Sequence, residues 1–115
     1  MYGPLRWGIL AAGLALPATL SAQEYPADMT RGKAVYERHC ATCHGAGGWG
    51  DGPQAANLKT RPANFHRSLS YLKSDEELLK TIESGSPGTP MAAWENTLSP
   101  QQMQDVLAYV RSFGK

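Results

Sequence analysis

The feature that most constrains this chain of 115 residues is one short run, Cys40-Ala41-Thr42-Cys43-His44. Its C-x-x-C-H spacing is the attachment signature of a c-type haem. Two thiols three positions apart can each bond to one edge of a porphyrin, and His44 then points towards the iron from the same side. We therefore predict that Cys40 and Cys43 bind one covalent haem c and that His44 is an axial ligand of its iron.

Three other interpretations of the cysteines stay open. A zinc site needs four ligands, and the two Cys and three His of the chain lack the usual paired spacing of two histidines. A thioredoxin-like dithiol requires a βαβ context, whereas the sequence contains no Val/Ile-rich strand runs. A plain disulfide is the third possibility, because exported proteins with two cysteines often contain one.

The chain begins with the composition of a secretory signal peptide. Arg6 provides a positive start, residues 7–16 form an apolar run, Pro17 interrupts it, and the small residues Ser21 and Ala22 follow. An uncleaved membrane anchor is the competing interpretation, but this run is short for a hydrocarbon core of ~30 Å.

We therefore expect residues 1–22 to be a signal peptide and residues 23–115 to form one haem-binding domain. Cleavage after Ser21 fits the sequence about as well as cleavage after Ala22. Export predicts a periplasmic location, and it predicts no transmembrane span in the mature form.

The charge balance limits the choice of partners. The chain has 11 Lys and Arg against 10 Asp and Glu, and loss of Arg6 with the signal peptide leaves ten against ten. No basic tract or stripe is present, so a nucleic acid is not an expected partner. The net charge also gives no indication of strong steering towards one highly charged partner.

Capping and stop residues delimit three predicted helices, at about 28–43, 74–85 and 99–114. The second and third each begin at a serine with Glu or Gln three residues on, and each ends at a glycine. Gly and Pro dominate the intervening residues 45–70 and 86–91, which predicts loops. The fold class is therefore all-α, with short helices and long loops.

The opposite side of the iron needs a second ligand, and the candidates are His39, His66, Met29, Met91 and Met103. Met91 lies in a loop braced by Pro87 and Pro90, which suits a weak iron–thioether bond that needs preorganisation. Met103 has the helical spacing of a core residue. We predict Met91 as the second axial ligand, with His66 as the alternative.

Four segments resemble a bacterial mono-haem class I cytochrome c: Cys40-Ala41-Thr42-Cys43-His44-Gly45, Gly50-Asp51-Gly52-Pro53, Gly88-Thr89-Pro90-Met91 and Leu107-Ala108-Tyr109-Val110. The resemblance covers about residues 30–113. It implies the class I cytochrome c fold, with five helices or fewer around one covalently bound haem, and it implies His44 and Met91 as axial ligands.

The same resemblance implies two structural details. Gly32 and Tyr36 of the first helix are expected to cross Val106 and Tyr109 of the last helix at about a right angle. This crossing explains a glycine inside a helix, which otherwise costs up to ~1 kcal/mol.

A proline carbonyl is also expected to accept a hydrogen bond from the ring of His44, because the resembled family has such a proline. Pro62 is the predicted acceptor, with Pro53 as the alternative. The interaction would fix the orientation of the imidazole towards the iron.

Iron with both axial positions filled has no open site, so we expect electron transfer and not an enzyme. The acidic residues 75–77 suit the first turn of a helix and are interpreted as capping, not catalytic. The expected partners are redox proteins, such as a dehydrogenase, an oxidase or a reductase. The protein would be a soluble monomeric shuttle or the cytochrome subunit of a periplasmic redox enzyme.

One functional alternative belongs to a different class of protein. If Met91 did not bind the iron, the site would be five-coordinate, as in a haem enzyme or a gas-binding sensor. Rapid binding of CO to the reduced protein would support that alternative.

Overall fold

The computed structural model describes residues 2–5, 8, 12–15, 25–67 and 72–114. Much of the predicted signal peptide and the end of the predicted first loop lie outside the described residues. The boundary between residues 22 and 23 therefore stays a prediction. Among the described residues, no helix has both the length and the apolar character that crossing a membrane requires.

The described residues form short helices in the order α1 (Met29–His39), α2 (Ala41–His44), a 3-10 turn (Ala55–Asn57), α3 (Asp75–Ser84) and α4 (Pro100–Ser112). They contain no strand, so the predicted all-α class is confirmed. The predicted first helix is wrong in one respect, because it is interrupted at Cys40. There the backbone (φ −116°, ψ −37°) starts a new turn, in which His44 N–H donates to the Cys40 carbonyl at 2.9 Å.

The helix starts follow the local sequence. Ser74 and Ser99 form capping boxes with Glu77 and Gln102. Each serine side chain accepts a hydrogen bond from the backbone N–H of its partner, and the partner's side chain accepts one from the backbone N–H of the serine. At α1 the cap is Asp28, whose carboxylate accepts from the N–H of the third helical residue at 2.8 Å. Each such cap stabilises a helix by about 1 kcal/mol.

Helix α1 packs against α4 at the predicted glycine. A Cβ atom on Gly32 would overlap the backbone carbonyl of Asp105 and lie 3.1 Å from Cβ of Tyr109. The Tyr36 ring is fully buried, with its centroid 5.2 Å from that of Tyr109, and Val106 is buried beside it. The predicted contact between these helices is confirmed, and only glycine permits its closeness.

The core is small and lies between α1, α4 and the loops. Its buried apolar side chains are Val35, Tyr36, Leu98, Met103, Val106 and Val110. Met103 is 5% exposed, which confirms its prediction as a core residue. Phe65 and Phe113 pack at the edge of this cluster, towards the C-x-x-C-H segment.

A buried carboxylate, Asp105, ties the start of α1 to α4. It is 1% exposed, and its oxygens accept hydrogen bonds from Arg31 Nε at 2.9 Å, from the Asp28 N–H at 2.9 Å and from Gln101 Nε2 at 3.0 Å. Burial alone raises the pKa of Asp105, but these donors outweigh it and hold the pKa below its ordinary value. Sequence analysis did not single out this residue, which stands between two apolar core positions of α4.

Asp105→Asn is expected to lower the free energy of unfolding by about 2 kcal/mol near neutral pH, because charge-assisted hydrogen bonds are lost. A carboxylate with a depressed folded-state pKa stabilises the protein above its unfolded pKa, and this contribution is lost as pH falls through the folded value. The difference between the wild type and the variant should therefore shrink below about pH 4. Denaturant unfolding of both holoproteins across this range measures it.

Asp75→Asn is the matched control, because Asp75 also pairs with an arginine, Arg111, at 2.7 Å but is 71% exposed. A surface pair of this kind contributes less than about 1 kcal/mol. Equal losses in the two variants, or a loss at Asp105 that does not change with pH, would contradict the role assigned to the buried carboxylate.

Candidate haem site

The two cysteines lie on consecutive turns at the junction of α1 and α2. Both are free thiols and both are half-buried, with Cys40 packed against the core. Burial raises the pKa of Cys40 to about 11, and the charge of the neighbouring Cys43 is a smaller cause of the same shift. Both thiols are free in this structure, so it does not contain the disulfide that was considered as an alternative.

The imidazole of His44 is held by the segment that faces it. Its Nδ1 lies 3.2 Å from the carbonyl oxygen of Ala63. A carbonyl can only accept, so Nδ1 carries the hydrogen and Nε2 keeps the lone pair. Burial lowers the pKa of His44, and the hydrogen bond to Ala63 opposes this only in part. A ring that donates through Nδ1 presents Nε2 as the nitrogen that can bind a metal.

The acceptor for His44 was predicted to be Pro62, or alternatively Pro53, and both assignments are wrong. The acceptor is Ala63, the residue after Pro62. The Pro62 carbonyl instead faces Gly50, where an added Cβ would lie 2.7 Å from its oxygen. Any backbone carbonyl can accept, so the course of the chain decides which one does, and the proline ring is not required.

A hydroxyl from α1 fixes the residue that follows His44. Tyr36 Oη donates to the Gly45 carbonyl at 2.6 Å, and the tyrosine is fully buried. Gly45 has φ +85°, and a Cβ there would overlap the carboxylate of Asp51. Sequence analysis placed Tyr36 at the helix crossing but missed this hydrogen bond. The available signal was a phenol on an apolar face, since a buried hydroxyl needs a partner.

Met91 lies half-buried in a loop closed by its own hydrogen bonds. Ser86 N–H donates to the Met91 carbonyl at 3.1 Å, while the Thr89 hydroxyl donates to the Ser86 carbonyl at 2.7 Å and accepts from Met91 N–H at 3.3 Å. Gly85, which ends α3, faces the carbonyl oxygen of Met91. The backbone of Met91 is thus constrained from both sides, while its role as an axial ligand stays a prediction.

The competing histidines have other contacts. His66 Nε2 donates to the Gly47 carbonyl at 2.6 Å, and its ring stacks on Trp49 with centroids 3.7 Å apart and planes at 13°. The His39 ring lies against Trp94 at a centroid distance of 4.9 Å. Both histidine rings thus have partners of their own, and the choice of Met91 over His66 as the second ligand stays a prediction.

The chemistry of this donor set fits haem c. Two free thiols stand one turn apart, and the next residue is a histidine whose Nδ1 is hydrogen-bonded to the Ala63 carbonyl. Residues able to hold a different metal are not grouped: the described residues contain no cluster of three or more His, Cys, Asp or Glu side chains suited to an ion. The zinc interpretation therefore has no ligand set in this part of the chain.

A helical domain with C-x-x-C-H directly after its first helix defines a c-type cytochrome of class I. The cytochrome c family model matches residues 29–114, and the chain belongs to the cytochrome c family. The predicted class and fold are thereby confirmed, and a cytochrome c domain implies the binding of haem c.

Three similar proteins illustrate this family. The chain is 33% identical over 84 residues to cytochrome c6 of Chlorolobion braunii, and this match covers 73% of this chain and 89% of that protein. It is 33% identical over 88 residues to the cbb3-type cytochrome c oxidase subunit FixP of Bradyrhizobium diazoefficiens, but that match spans 76% of this chain and only 28% of FixP. A solved c-type cytochrome, KustC0563, superposes with a TM-score of 0.62 at 29% identity, covering 73% of this chain and 98% of that one.

Proposed function

We propose that this protein is a periplasmic electron carrier with a single haem c. Cys40 and Cys43 form the two thioether bonds, and His44 and Met91 are the axial ligands of the iron. The observation that carries the proposal is the orientation of the His44 ring, because Nδ1 donates to the Ala63 carbonyl and Nε2 is left to bind metal. A second-shell hydrogen bond of this kind sets the tautomer and basicity of a metal-binding histidine.

Haem c supplies reversible one-electron Fe(III)/Fe(II) chemistry. The residues of this chain would bind the haem and hold its ligands in place. Tyr36 and Ala63 keep the C-x-x-C-H turn and its imidazole in place, and the hydrogen-bonded loop of Met91 keeps its backbone in one conformation. Because the side chains need not move or transfer a proton, the protein can exchange an electron with little reorganisation. This favours an electron carrier over an enzyme with an open iron.

The proposal includes export of the protein. Residues 1–22 would be removed as a signal peptide, and residues 23–115 would function in the periplasm. N-terminal sequencing of the mature protein distinguishes this processing from an uncleaved anchor.

The partners would be redox proteins, a dehydrogenase on one side and an oxidase or a reductase on the other. The match covers 89% of cytochrome c6, which supports a free carrier of one domain, whereas likeness to FixP, named as an oxidase subunit, supports a place within a redox complex. We favour the shuttle, because the match covers most of cytochrome c6 but a minor part of FixP. Purification from native membranes and periplasm separates the two, since a subunit would co-purify with a large enzyme.

The purified protein is expected to weigh one haem more than its processed polypeptide and to show the α and β bands of a low-spin c-type cytochrome when reduced. The oxidised form should have the far-red sulfur-to-iron band of methionine ligation, and the reduced form should not bind CO rapidly. Mass spectrometry and absorption spectroscopy measure these properties. A mass without haem would refute the proposal, and rapid CO binding would instead support the five-coordinate alternative.

A further inference from the structure

We propose that the surface around Trp49 is a docking surface for an acidic redox protein and the start of an electron route to the iron. We call it the Trp49 face, and it is formed where residues 61–67 cross residues 47–50. The electron route within it consists of the rings of Trp49, His66, Phe113 and Phe65, which end at His44. The inference rests on the proposed function, in which His44 is a ligand of the iron.

The Trp49 face is built by two loop segments that are fixed to each other. Phe65 N–H donates to the Gly48 carbonyl at 2.8 Å, and the His66 ring nitrogen donates to the Gly47 carbonyl at 2.6 Å. A Cβ on Gly48 would lie 2.7 Å from the Phe113 ring, so the close approach of these segments to the end of α4 depends on glycine. The surface is therefore preorganised, which lowers the entropic cost of binding a partner.

A series of ring contacts connects this surface to the site. Trp49 stacks on His66 at 3.7 Å, His66 contacts Phe113 at 5.6 Å, and Phe113 lies parallel to Phe65 at 6.2 Å between centroids. Phe65 in turn stacks on His44 at 4.6 Å with an interplanar angle of 22°. The last three pairs lie within the centroid range of ~4.5–7 Å that is typical of aromatic contacts, and the rings of Trp49 and His66 are closer still. Electron tunnelling weakens steeply across empty space, so contacting rings couple the indole to the imidazole better than a gap would.

Backbone hydrogen bonds shorten the same connection. Gly50 N–H donates to the His44 carbonyl at 2.8 Å, so the residue after Trp49 is bonded directly to the predicted ligand. An electron that enters at the indole therefore has both a ring route and a hydrogen-bonded backbone route to His44.

The side chain that starts this series is an exposed anchor. Trp49 is 56% exposed although it is a large aromatic residue. Tryptophan and arginine are enriched at the centres of protein interfaces, and transient redox complexes need only a small contact area. An exposed indole at one end of a ring series is thus suited to brief contact with a redox partner.

The charges on this surface indicate the kind of partner. Exposed Arg61 and Arg67 stand at the two ends of the crossing segment, and exposed Lys59 precedes it. Neither arginine forms an ion pair within the described part of the chain. From 45 to 67 the sequence has Asp51 as its single acidic residue, and Asp51 lies against Gly45. A chain whose formal net charge is only +1 therefore has a local positive surface, which attracts an acidic partner and increases its association rate.

The redox step is simple. One electron passes from the reduced metal centre of the acidic protein to Fe(III), which becomes Fe(II), and no bond or proton is exchanged. The reverse direction serves an acidic acceptor.

Oxidation of the ferrous holoprotein by two inorganic oxidants of opposite charge tests the proposal. Arg61→Gln/Arg67→Gln should slow oxidation by the hexacyanoferrate(III) anion severalfold and weaken its dependence on ionic strength. Oxidation by the tris(phenanthroline)cobalt(III) cation should become faster, because the surface repels this cation less. Lys33→Gln/Lys80→Gln removes the same net charge from α1 and α3 and is the matched control, for which only a small change is expected. Equal slowing in both double variants would overturn the docking surface.

The ring series is tested separately with Trp49→Leu and Phe113→Leu. Each variant should be oxidised severalfold more slowly by both oxidants, while the reduction potential of its haem stays unchanged. Backbone amide signals of the wild-type ferrous protein should broaden around residues 48–50 and 61–67 when the redox-inert hexacyanochromate(III) anion is added. Unchanged rates in the leucine variants, with thermal unfolding showing that they are folded, would overturn the electron route. Absence of haem from the wild-type protein would instead show that the proposed function has failed.

Discussion

Cys40→Ala/Cys43→Ala is expected to abolish covalent haem and to leave a chain without a cooperative unfolding transition. The described core has few fully buried apolar side chains, and Cys40 and Phe65 pack only at its edge. A domain of this size is marginal, and a ligand that binds only the folded state contributes directly to its stability. The loss should be on the order of 5 kcal/mol, which is the whole stability of many small domains. Mass spectrometry and thermal unfolding followed by circular dichroism measure both effects.

The single variants Cys40→Ala and Cys43→Ala are the controls, since each retains one thiol for a single thioether bond. They should keep haem at lower yield and show intermediate stability. A double variant that folds cooperatively without haem would show that the polypeptide core is sufficient by itself.

Met91→Ala is expected to leave haem attached but to lower the reduction potential and open the iron to external ligands. Methionine ligation raises the potential relative to a second histidine or water. The decrease should be on the order of 0.1–0.3 V, a fraction of the ~0.8 V range over which axial ligands set haem potentials. Redox titration gives the potential, and CO binding to the reduced variant reports the open position.

Two matched variants make this prediction specific. Met103→Leu removes a thioether from the core, where the side chain is 5% exposed, and should leave the potential unchanged. His66→Gln removes the alternative ligand and should also leave the far-red sulfur-to-iron band intact. If Met91→Ala left the reduction potential unchanged while His66→Gln changed it, His66 and not Met91 would be the second axial ligand.

Local sequence predicted the helices well because their ends depend on nearby residues. The capping boxes at Ser74 and Ser99 were predicted from serine with Glu or Gln three residues on, and both occur. The break at Cys40 was not predicted. A continuous helix and two helices joined by a turn share most of their local hydrogen bonds, so packing of the C-x-x-C-H segment decides between them.

Contacts between distant segments were the least predictable part. Arg31 and Asp105 are separated by 74 residues, and no local pattern pairs them. The acceptor for His44 was expected at Pro62 but is Ala63, because a carbonyl is selected by its position in space and not by its side chain. Similarly, the sequence contains Trp49 and His66, yet only folding stacks them.

By itself the sequence determined the class of the protein, through a five-residue haem attachment motif, glycine at the helix crossing and capped helix ends. The attachment motif and the caps act over one or two turns, so their chemistry is present wherever the residues occur. The tertiary structure alone decided which carbonyl orients His44, which carboxylate is buried and which rings connect the Trp49 face to the proposed haem ligand. Such contacts depend on how the whole domain packs, and the spacing of residues along a short segment does not determine which distant segments meet.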